Sequence, residues 1–200
     1  NLDNNNYINS SARDINLGGS TDIVSIINSL FNSNVSGAFS AHILFTGSGI
    51  LVENNVFGNA SDSSSIGVAF STSNDVLVRG NTFMNENVGP VASGADNVTF
   101  KDNILTDLTA GGLVAISGSS NVVMDNNTLL RIGNSTYAAI YASSFGDGLV
   151  TNVTISNNTI NASTGRTISA IDSIGVIIDA NTIDNSTENG IFLNNSNDSI

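Results

Sequence analysis

The sequence predicts an all-β fold, a right-handed parallel β-helix (solenoid) with three strands per coil and about seven to eight coils. Seven nine-residue segments align without gaps, and each carries Asn at its seventh place. The second, fourth and ninth places are mostly apolar, with Ser25 as a polar exception at the fourth place. Because places two and four share a face at a period of two, they indicate a strand rather than a helix. The segments begin at Asp22, Gly49, Asp75, Asn97, Asn121, Asn152 and Gly175.

The recurring Asn predicts a sharp turn between two strands of every coil. Such a turn needs a residue that tolerates the left-handed region of backbone conformation, and Asn is one of the few that do. The Asn amide both donates and accepts, so each one can bond its counterparts in the coils above and below. We therefore predict a ladder that satisfies buried polar groups. The predicted ladder consists of Asn28, Asn55, Asn81, Asn103, Asn127, Asn158 and Asn181.

A third strand is predicted to complete each coil. Its clearest examples are Ile15–Leu17, Val68–Phe70, Val114–Ile116 and Ile191–Leu193. Successive ladder residues are 22 to 31 positions apart, which suits a solenoid whose loops vary while its strands stay in register. We expect residues 1–200 to form a single β-helix domain. Since no amphipathic helix caps either end, we expect a piece of a longer protein or coils that stack end to end on other copies.

The amino-acid composition limits the classes of molecule that this chain could bind. A net charge of −12 with five basic residues argues against nucleic acid and against anionic membrane surfaces. The absence of Cys excludes a disulfide framework and a thiolate metal site. No apolar run is long enough to predict a membrane span. We expect neither a cofactor nor a metal site.

Two segments carry a family resemblance. NVTISNNTI and NGIFL resemble the repeats of pectin-lyase-like right-handed β-helix proteins, which include carbohydrate-binding and sugar-hydrolase (CASH-type) repeats. In character the chain is most similar to adhesin-like archaeal or bacterial surface proteins. The resemblance covers nearly the whole chain, from about Asn6 to Ile200. It implies the fold strongly and the activity weakly, since this fold hosts many functions.

The third place of each segment is expected to face solvent although it is often apolar. Exposed apolar residues in a row often mark a partner surface. Strands favour β-branched residues on either face, and a covering loop would also explain the pattern. The predicted interface stripe consists of Val24, Leu51, Leu77, Val123 and Ile177.

The fifth place of the segments predicts surface ion pairs between coils. Glu53 and Arg79 fall in consecutive coils, as do Lys101 and Asp125. Opposite charges stacked at the spacing of neighbouring strands attract each other. Each such pair contributes at most about 1 kcal/mol.

Sequons of the form Asn-x-Ser/Thr are frequent and suit a secreted, glycosylated surface protein. Several follow from the repeat itself, such as those in its NVT and NNT sequences. Loop sites are predicted to be better acceptors than strand sites. The candidates for glycosylation are therefore Asn134, Asn161 and Asn185.

No catalytic constellation is recognisable. A lyase of the resembled family would need clustered carboxylates for Ca²⁺ and a basic residue, and a hydrolase would need paired aspartates. Asp172 and Asp179 are separated along the coil, and the basic residues share no place in the repeat. The single His, His42, is expected to be structural or exposed. The loop carboxylates Asp147, Asp184 and Glu188 are expected to be solvated, with weak cation binding as the alternative.

The leading hypothesis is a non-enzymatic, extracellular structural or adhesive module of a cell-surface protein, envelope layer or filament. Its partners would be proteins or glycans at a cell surface. The alternative is a carbohydrate-binding or polysaccharide-cleaving β-helix. In that case the cleft would lie between the loops Asn32–Gly47 and Asn134–Val150.

Overall fold

The structure is a computed structural model, and it describes residues 2–8, 15–32, 41–58, 65–133, 137–145 and 148–199. Within these ranges the chain forms β-strands and turns only, so none of the described segments is a helix that could cross a membrane. The strands are β1 (Leu2–Asp3), β2 (Asn6–Ile8), β3 (Ile15–Ile27), β4 (Leu30–Asn32), β5 (Ala41–Glu53), β6 (Val56–Gly58), β7 (Ile66–Ser71), β8 (Asn74–Arg79), β9 (Thr82–Met84), β10 (Val88–Ser93), β11 (Asp96–Lys101), β12 (Ile104–Thr106), β13 (Leu113–Ile116), β14 (Ser120–Asp125), β15 (Thr128–Leu130), β16 (Ile140–Ser143), β17 (Val150–Ser156), β18 (Thr159–Asn161), β19 (Ile168–Ile171), β20 (Ser173–Asp179), β21 (Thr182–Asp184), β22 (Ile191–Asn194) and β23 (Asn197–Ser199).

The strands stack into three parallel sheets, as the repeat predicts. The first sheet runs β7-β10-β13-β16-β19-β22, and the second runs β8-β11-β14-β17-β20-β23. The third runs β2-β4-β6-β9-β12-β15-β18-β21. The long strands β3 and β5 belong to both of the first two sheets and join them. Each coil therefore holds three strands, and the four predicted examples of the third strand all lie in strands of this first-sheet layer.

The core fills the space between the three sheets. Phe57 and Phe83 at the ninth place stack with Phe31, which follows the ninth place of the first segment, and the ring centroids of neighbours lie 4.8 Å apart. Leu105 and Leu129 continue the same buried column in the following coils. Aromatic side chains thus fill the first coils and aliphatic ones the later coils. The stacking follows from the register, because equivalent residues of neighbouring parallel strands lie directly above one another.

Most turns in the described coils follow one two-residue pattern. A residue in the left-handed conformation turns the chain, and the next side chain points into the core. Between the second and third sheets the left-handed residue is the one before the ladder residue, as at Asn54, Asp102 and Asn126. The prediction that the ladder Asn itself adopts this conformation is wrong. The left-handed residue stays outside, where Asn, Asp and Gly tolerate the strain best.

The first repeat is displaced by one residue from the predicted alignment. Val24 pairs with Ile50 and Ile26 with Val52, so Val24 faces the core and packs against it. Asn28 is an exposed left-handed residue with φ of 51°, and the buried Ser29 occupies the ladder position. Asn28 and Val24 are therefore wrong as members of the ladder and of the stripe. A shift of one residue moves every side chain of a strand to the opposite face.

A column of small residues makes room for the ninth-place side chains. Gly67, Gly89 and Gly112 occupy inward positions in consecutive strands of the first sheet. A Cβ atom at Gly112 would lie 2.4 Å from the carbonyl oxygen of Ala139 and 2.6 Å from Cδ2 of Leu129. Both neighbours are fully buried, so neither has free space to move into.

We expect Gly112→Ala to lower the free energy of unfolding by about 3 kcal/mol, because overpacking must displace backbone. Gly190 occupies the same column and is the matched control. Its added Cβ would meet only the Ile183 side chain, with Cγ2 at 3.8 Å and Cδ1 at 3.9 Å. Gly190→Ala should be neutral or stabilise by up to about 1 kcal/mol. Urea unfolding of both variants checks this, and equal effects would contradict the steric explanation.

Candidate functional site

Six of the seven predicted ladder residues lie in one column, which is buried except for the half-buried Asn181 at its end. In each of the first five, the backbone N–H and the side-chain Nδ2–H donate to Oδ1 of the next, at 2.9–3.0 Å. The Nδ2 group also donates to a carbonyl oxygen of the preceding coil, for example from Asn103 to Val78 at 3.0 Å. These amides are therefore engaged within the protein and are not presented to a ligand. The column consists of Asn55, Asn81, Asn103, Asn127, Asn158 and Asn181.

His42 is a buried, structural residue. Its Nε2 lies 2.8 Å from Oε1 of Glu86, and both side chains are 0% exposed. The imidazole is flanked by Phe31 and Phe57, with ring centroids 6.3 and 6.1 Å away. Oε2 of Glu86 has no hydrogen-bond partner. The pair joins coils 44 residues apart in sequence, and it lies inside the solenoid, away from any surface site.

The remaining residues of the predicted stripe face outward on the second sheet. Leu51 and Leu77 pair directly, and Thr99 separates Leu77 from Val123. All are half-buried except Ile177, which is 47% exposed. The stripe is thus a ridge of mixed apolar and hydroxyl side chains.

The predicted ion pairs are confirmed. Arg79 Nη2 lies 2.9 Å from Glu53 Oε1, and Lys101 Nζ lies 2.9 Å from Asp125 Oδ2. The side-chain hydrogen bond from Asn157 and that from Lys101 lower the pKa of Asp125. These charges hold neighbouring coils together and are not gathered at one site.

A further pair was missed because it lies outside the nine-residue segments. Arg131 Nε donates to Asp107 at 2.6 Å, and this hydrogen bond lowers the pKa of the Asp107 carboxyl. With Thr109, Gly133 and neighbouring residues they line an open groove of about 540 Å³. The guanidinium also donates to the hydroxyl of Thr106, so the groove presents a satisfied ion pair.

The other acidic candidates are dispersed. Asp184 and Glu188 are exposed, and the Asp184 carboxylate accepts a hydrogen bond from Asn185. Asp172 accepts one from Asn195 at 2.6 Å, whereas Asp147 lies outside the described residues. Among the described residues no three His, Cys, Asp or Glu side chains lie close enough together to hold a metal ion.

The predicted glycosylation sites differ in exposure. Asn134 lies outside the described residues. Asn161 is half-buried, and its Oδ1 accepts a hydrogen bond from Asn185 Nδ2 at 3.1 Å. The hydroxyl of Ser163, which completes the sequon of Asn161, is buried and without a partner. Asn185 is exposed.

An aromatic surface on the outside of the first sheet was not foreseen. Tyr137 lies 5.3 Å from Tyr141 and 6.4 Å from Phe145, measured between ring centroids. Tyr141 and Phe192 share an outward column with Ser169 between them. Among the side chains that the structure describes, every Phe and Tyr ring outside the core belongs to this group. We call it the aromatic face, consisting of Tyr137, Tyr141, Phe145 and Phe192.

The aromatic face is partly covered and partly open. Tyr141 packs with Val91 and Val114 into a second apolar cluster outside the main core. Burial raises the pKa of the Tyr137 phenol. Phe145 is 58% exposed at the edge of this surface. Sequence reasoning missed the group because its members fall in the variable loops and in the least regular of the three strands.

The outward positions around the aromatic face are apolar or neutral polar. In the first sheet from β7 to β22, one outward column holds Ala69, Val91, Val114, Tyr141, Ser169 and Phe192. The next holds Ser71, Ser93, Ile116, Ser143, Ile171 and Asn194. The guanidinium of Arg166 lies over the ring of Phe192, 3.6 Å from its centroid. Within these columns Val114, Tyr141, Ser143 and Ser169 are buried, so the accessible aromatic area is mainly that of Phe145 and the half-buried Phe192. The two columns contain no carboxylate that could act as a general acid or base.

Two of the solved structures that resemble this chain are a surface adhesin and an exopolygalacturonase. PfbA, a surface adhesin of Streptococcus pneumoniae, aligns with a TM-score of 0.62 and 21% identity, over 85% of this chain and 45% of PfbA. A family 28 exopolygalacturonase of Yersinia enterocolitica aligns with a TM-score of 0.53 and 13% identity, over 90% of this chain and 43% of the enzyme. The chain thus spans less than half the length of either structure. At these identities the likeness shows the fold alone.

Comparison with curated proteins gives no match. The model of the right handed beta helix region matches residues 1–129, which is more than half of the chain. The parallel three-sheet coil described above is the architecture that this family model represents. The chain therefore belongs to the right-handed β-helix family.

Proposed function

We propose that this chain is a non-enzymatic structural or adhesive module of an extracellular, cell-surface protein, and that the aromatic face is its contact surface. The observation that carries this proposal is the grouping of the described aromatic rings outside the core on one outer surface. Aromatic side chains supply large contact areas at protein and glycan interfaces. If these aromatic rings were scattered over all three sheets, no single surface would be favoured as the contact surface.

The pairing of three described carboxylates supports a non-catalytic role. Glu53, Asp107 and Asp125 are each engaged in an ion pair between coils. Glycoside cleavage by paired carboxylates needs two groups facing one substrate across a short gap. The outward columns beside the aromatic face hold neutral side chains instead. The β-helix of PfbA, a surface adhesin, is an example of this fold in an adhesive protein.

The ridge of Leu51, Leu77, Val123 and Ile177 is a secondary candidate contact surface. Its residues form part of a continuous outward column on the second sheet. We rank it below the aromatic face because Thr residues interrupt it and most of its side chains are already half-buried.

The second candidate function is carbohydrate binding or cleavage. It is favoured by the position of Tyr137 and Phe145, which lie in the loop that sequence reasoning assigns as one wall of a cleft. Sugar rings stack on aromatic side chains, and the ring of Phe145 is exposed for such a contact. This candidate shares the contact surface of the first and differs in its ligand and in turnover.

Binding to immobilised mucin, before and after removal of its glycans, and to a glycan array tests the proposal. We expect Phe145→Ala to weaken binding at least about tenfold, equivalent to about 1.4 kcal/mol. Ile104→Ala is the matched control, because Ile104 is also exposed, at 47%, but lies on the third sheet. Equal binding by wild type and Phe145→Ala would contradict a role for the aromatic face.

Turnover is tested separately by measuring release of reducing ends from polygalacturonate. Cleavage by the wild-type chain that disappears in Asp184→Asn or Glu188→Gln would defeat the adhesive interpretation. Binding without product release would favour it. Loss of mucin binding after removal of the glycans would identify the bound partner as carbohydrate.

A further inference from the structure

The geometry points to Asn157 as an N-glycosylation acceptor, ahead of the loop sites that sequence reasoning favours. This inference rests on the proposed extracellular location, because the modification requires export to a compartment that contains the glycosylation machinery. The sequon is Asn157-Asn158-Thr159. A transferase must reach both the Asn amide and the hydroxyl two residues later.

Exposure separates this sequon from its neighbours. Asn157 and Thr159 are both exposed, whereas the buried ladder residue Asn158 lies between them. In the sequons of Asn97, Asn126 and Asn152 the Thr side chain is half-buried. At Asn161 the amide is half-buried and the Ser163 hydroxyl is only 1% exposed. In the described sequons whose hydroxyl exposure is known, both groups are exposed only at Asn157 and Asn185.

Hydrogen bonding separates Asn157 from Asn185. The side-chain nitrogen of Asn157 donates to Asp125 Oδ1 at 2.8 Å. That of Asn185 donates to both Asn161 Oδ1 and Asp184 Oδ2. The hydroxyl of Thr187, which completes the Asn185 sequon, accepts from the backbone N–H of Gly165 at 2.7 Å. Access to the Asn185 sequon therefore disrupts existing bonds at both ends.

The chemistry of attachment explains why this difference matters. The donor is an oligosaccharide activated by a lipid-linked phosphate. A bond forms between Asn157 Nδ2 and the anomeric carbon, the bond from that carbon to the phosphate oxygen breaks, and Nδ2 loses one proton. The product amide retains one N–H, and one is enough to keep the bond to Asp125. At Asn185 the single remaining N–H can serve only one of its two acceptors.

The position on the solenoid is compatible with the proposed contact surface. Asn157 has φ of 56° in the turn between the second and third sheets. In a three-sided coil this corner lies opposite the first sheet. A glycan there extends away from the aromatic face and leaves it open to a partner.

The test is mass spectrometry of the protein released by protease from the surface of intact source cells. We expect the peptide containing Asn157 to carry glycan in most molecules, and Asn161 to be unmodified. Thr159→Ala should abolish the glycosylated form of this peptide, and Thr159→Ser should retain it. Asn185→Gln is the control and should leave the modification of Asn157 unchanged.

An unmodified Asn157 in surface-released protein, or higher occupancy at Asn161, overturns this inference and leaves the proposed location intact. If intact cells release none of the protein, the location is wrong. In that case glycopeptide analysis of the cell lysate still decides the modification of Asn157.

Discussion

Replacing His42 by leucine is expected to lower the free energy of unfolding by about 3–5 kcal/mol. The substitution leaves the Glu86 carboxylate in the core without the imidazole that now lies 2.8 Å from it. A buried polar group that loses its hydrogen-bond partner carries its desolvation cost uncompensated. Urea unfolding at neutral pH measures the effect.

The double variant His42→Leu/Glu86→Leu separates the pair from simple loss of packing. It removes both polar groups and should recover most of the lost stability, because an apolar pair of similar volume is often as stable as a buried polar pair. Replacing Lys101 by methionine breaks an exposed pair and should change stability far less than His42→Leu does. A double variant as unstable as His42→Leu alone would show that the site needs the shape of the imidazole rather than its hydrogen bond to Glu86.

The second large effect is expected for Asn103→Ala, with a loss of about 3–5 kcal/mol in the free energy of unfolding. The side chain of Asn103 donates to Val78 O and Asn127 Oδ1, and its Oδ1 accepts from the backbone and the side chain of Asn81. Removing it leaves several buried groups without partners, and each costs about 1–3 kcal/mol before relaxation. Chemical denaturation followed by circular dichroism provides the measurement.

Asn74→Ala is the matched control for Asn103. Asn74 is exposed at the start of β8, so its replacement should change stability by no more than about 0.5 kcal/mol. A similar small change for Asn103→Ala would mean that the amide column contributes little, and that apolar packing alone holds the coils together.

The fold could be predicted because each place of the repeat carries a characteristic residue type. Residues at places two and four, such as Val98 and Phe100, are fully buried, and the ion pairs at the fifth place followed from the same register. The prediction for the first repeat was wrong at Asn28 because the alignment was chosen to match Asn at the seventh place, and it ignored the weaker pattern of apolar residues. Ser25 is polar although the fourth place should face the core, and Phe31 lies one residue after the ninth place. Both observations indicated that the first repeat is shifted by one residue.

The candidate site was harder to predict because its members are not periodic. Tyr137, Phe145 and Phe192 lie outside the nine-residue segments, and their proximity arises only when coils stack. The same holds for the buried contact between His42 and Glu86, which are 44 residues apart. A single sequence carries no local signal for such contacts.

By itself the sequence determined the strand period, the parallel register and the column of amides, because each depends on residue types repeated at fixed local spacing. The tertiary structure alone decided which side chains meet across coils and which sequons are accessible. It also decided that the outer aromatic rings gather on one sheet. Variable loops change the number of residues between coils. Only the closure of each coil in three dimensions therefore fixes which side chains of different coils are neighbours.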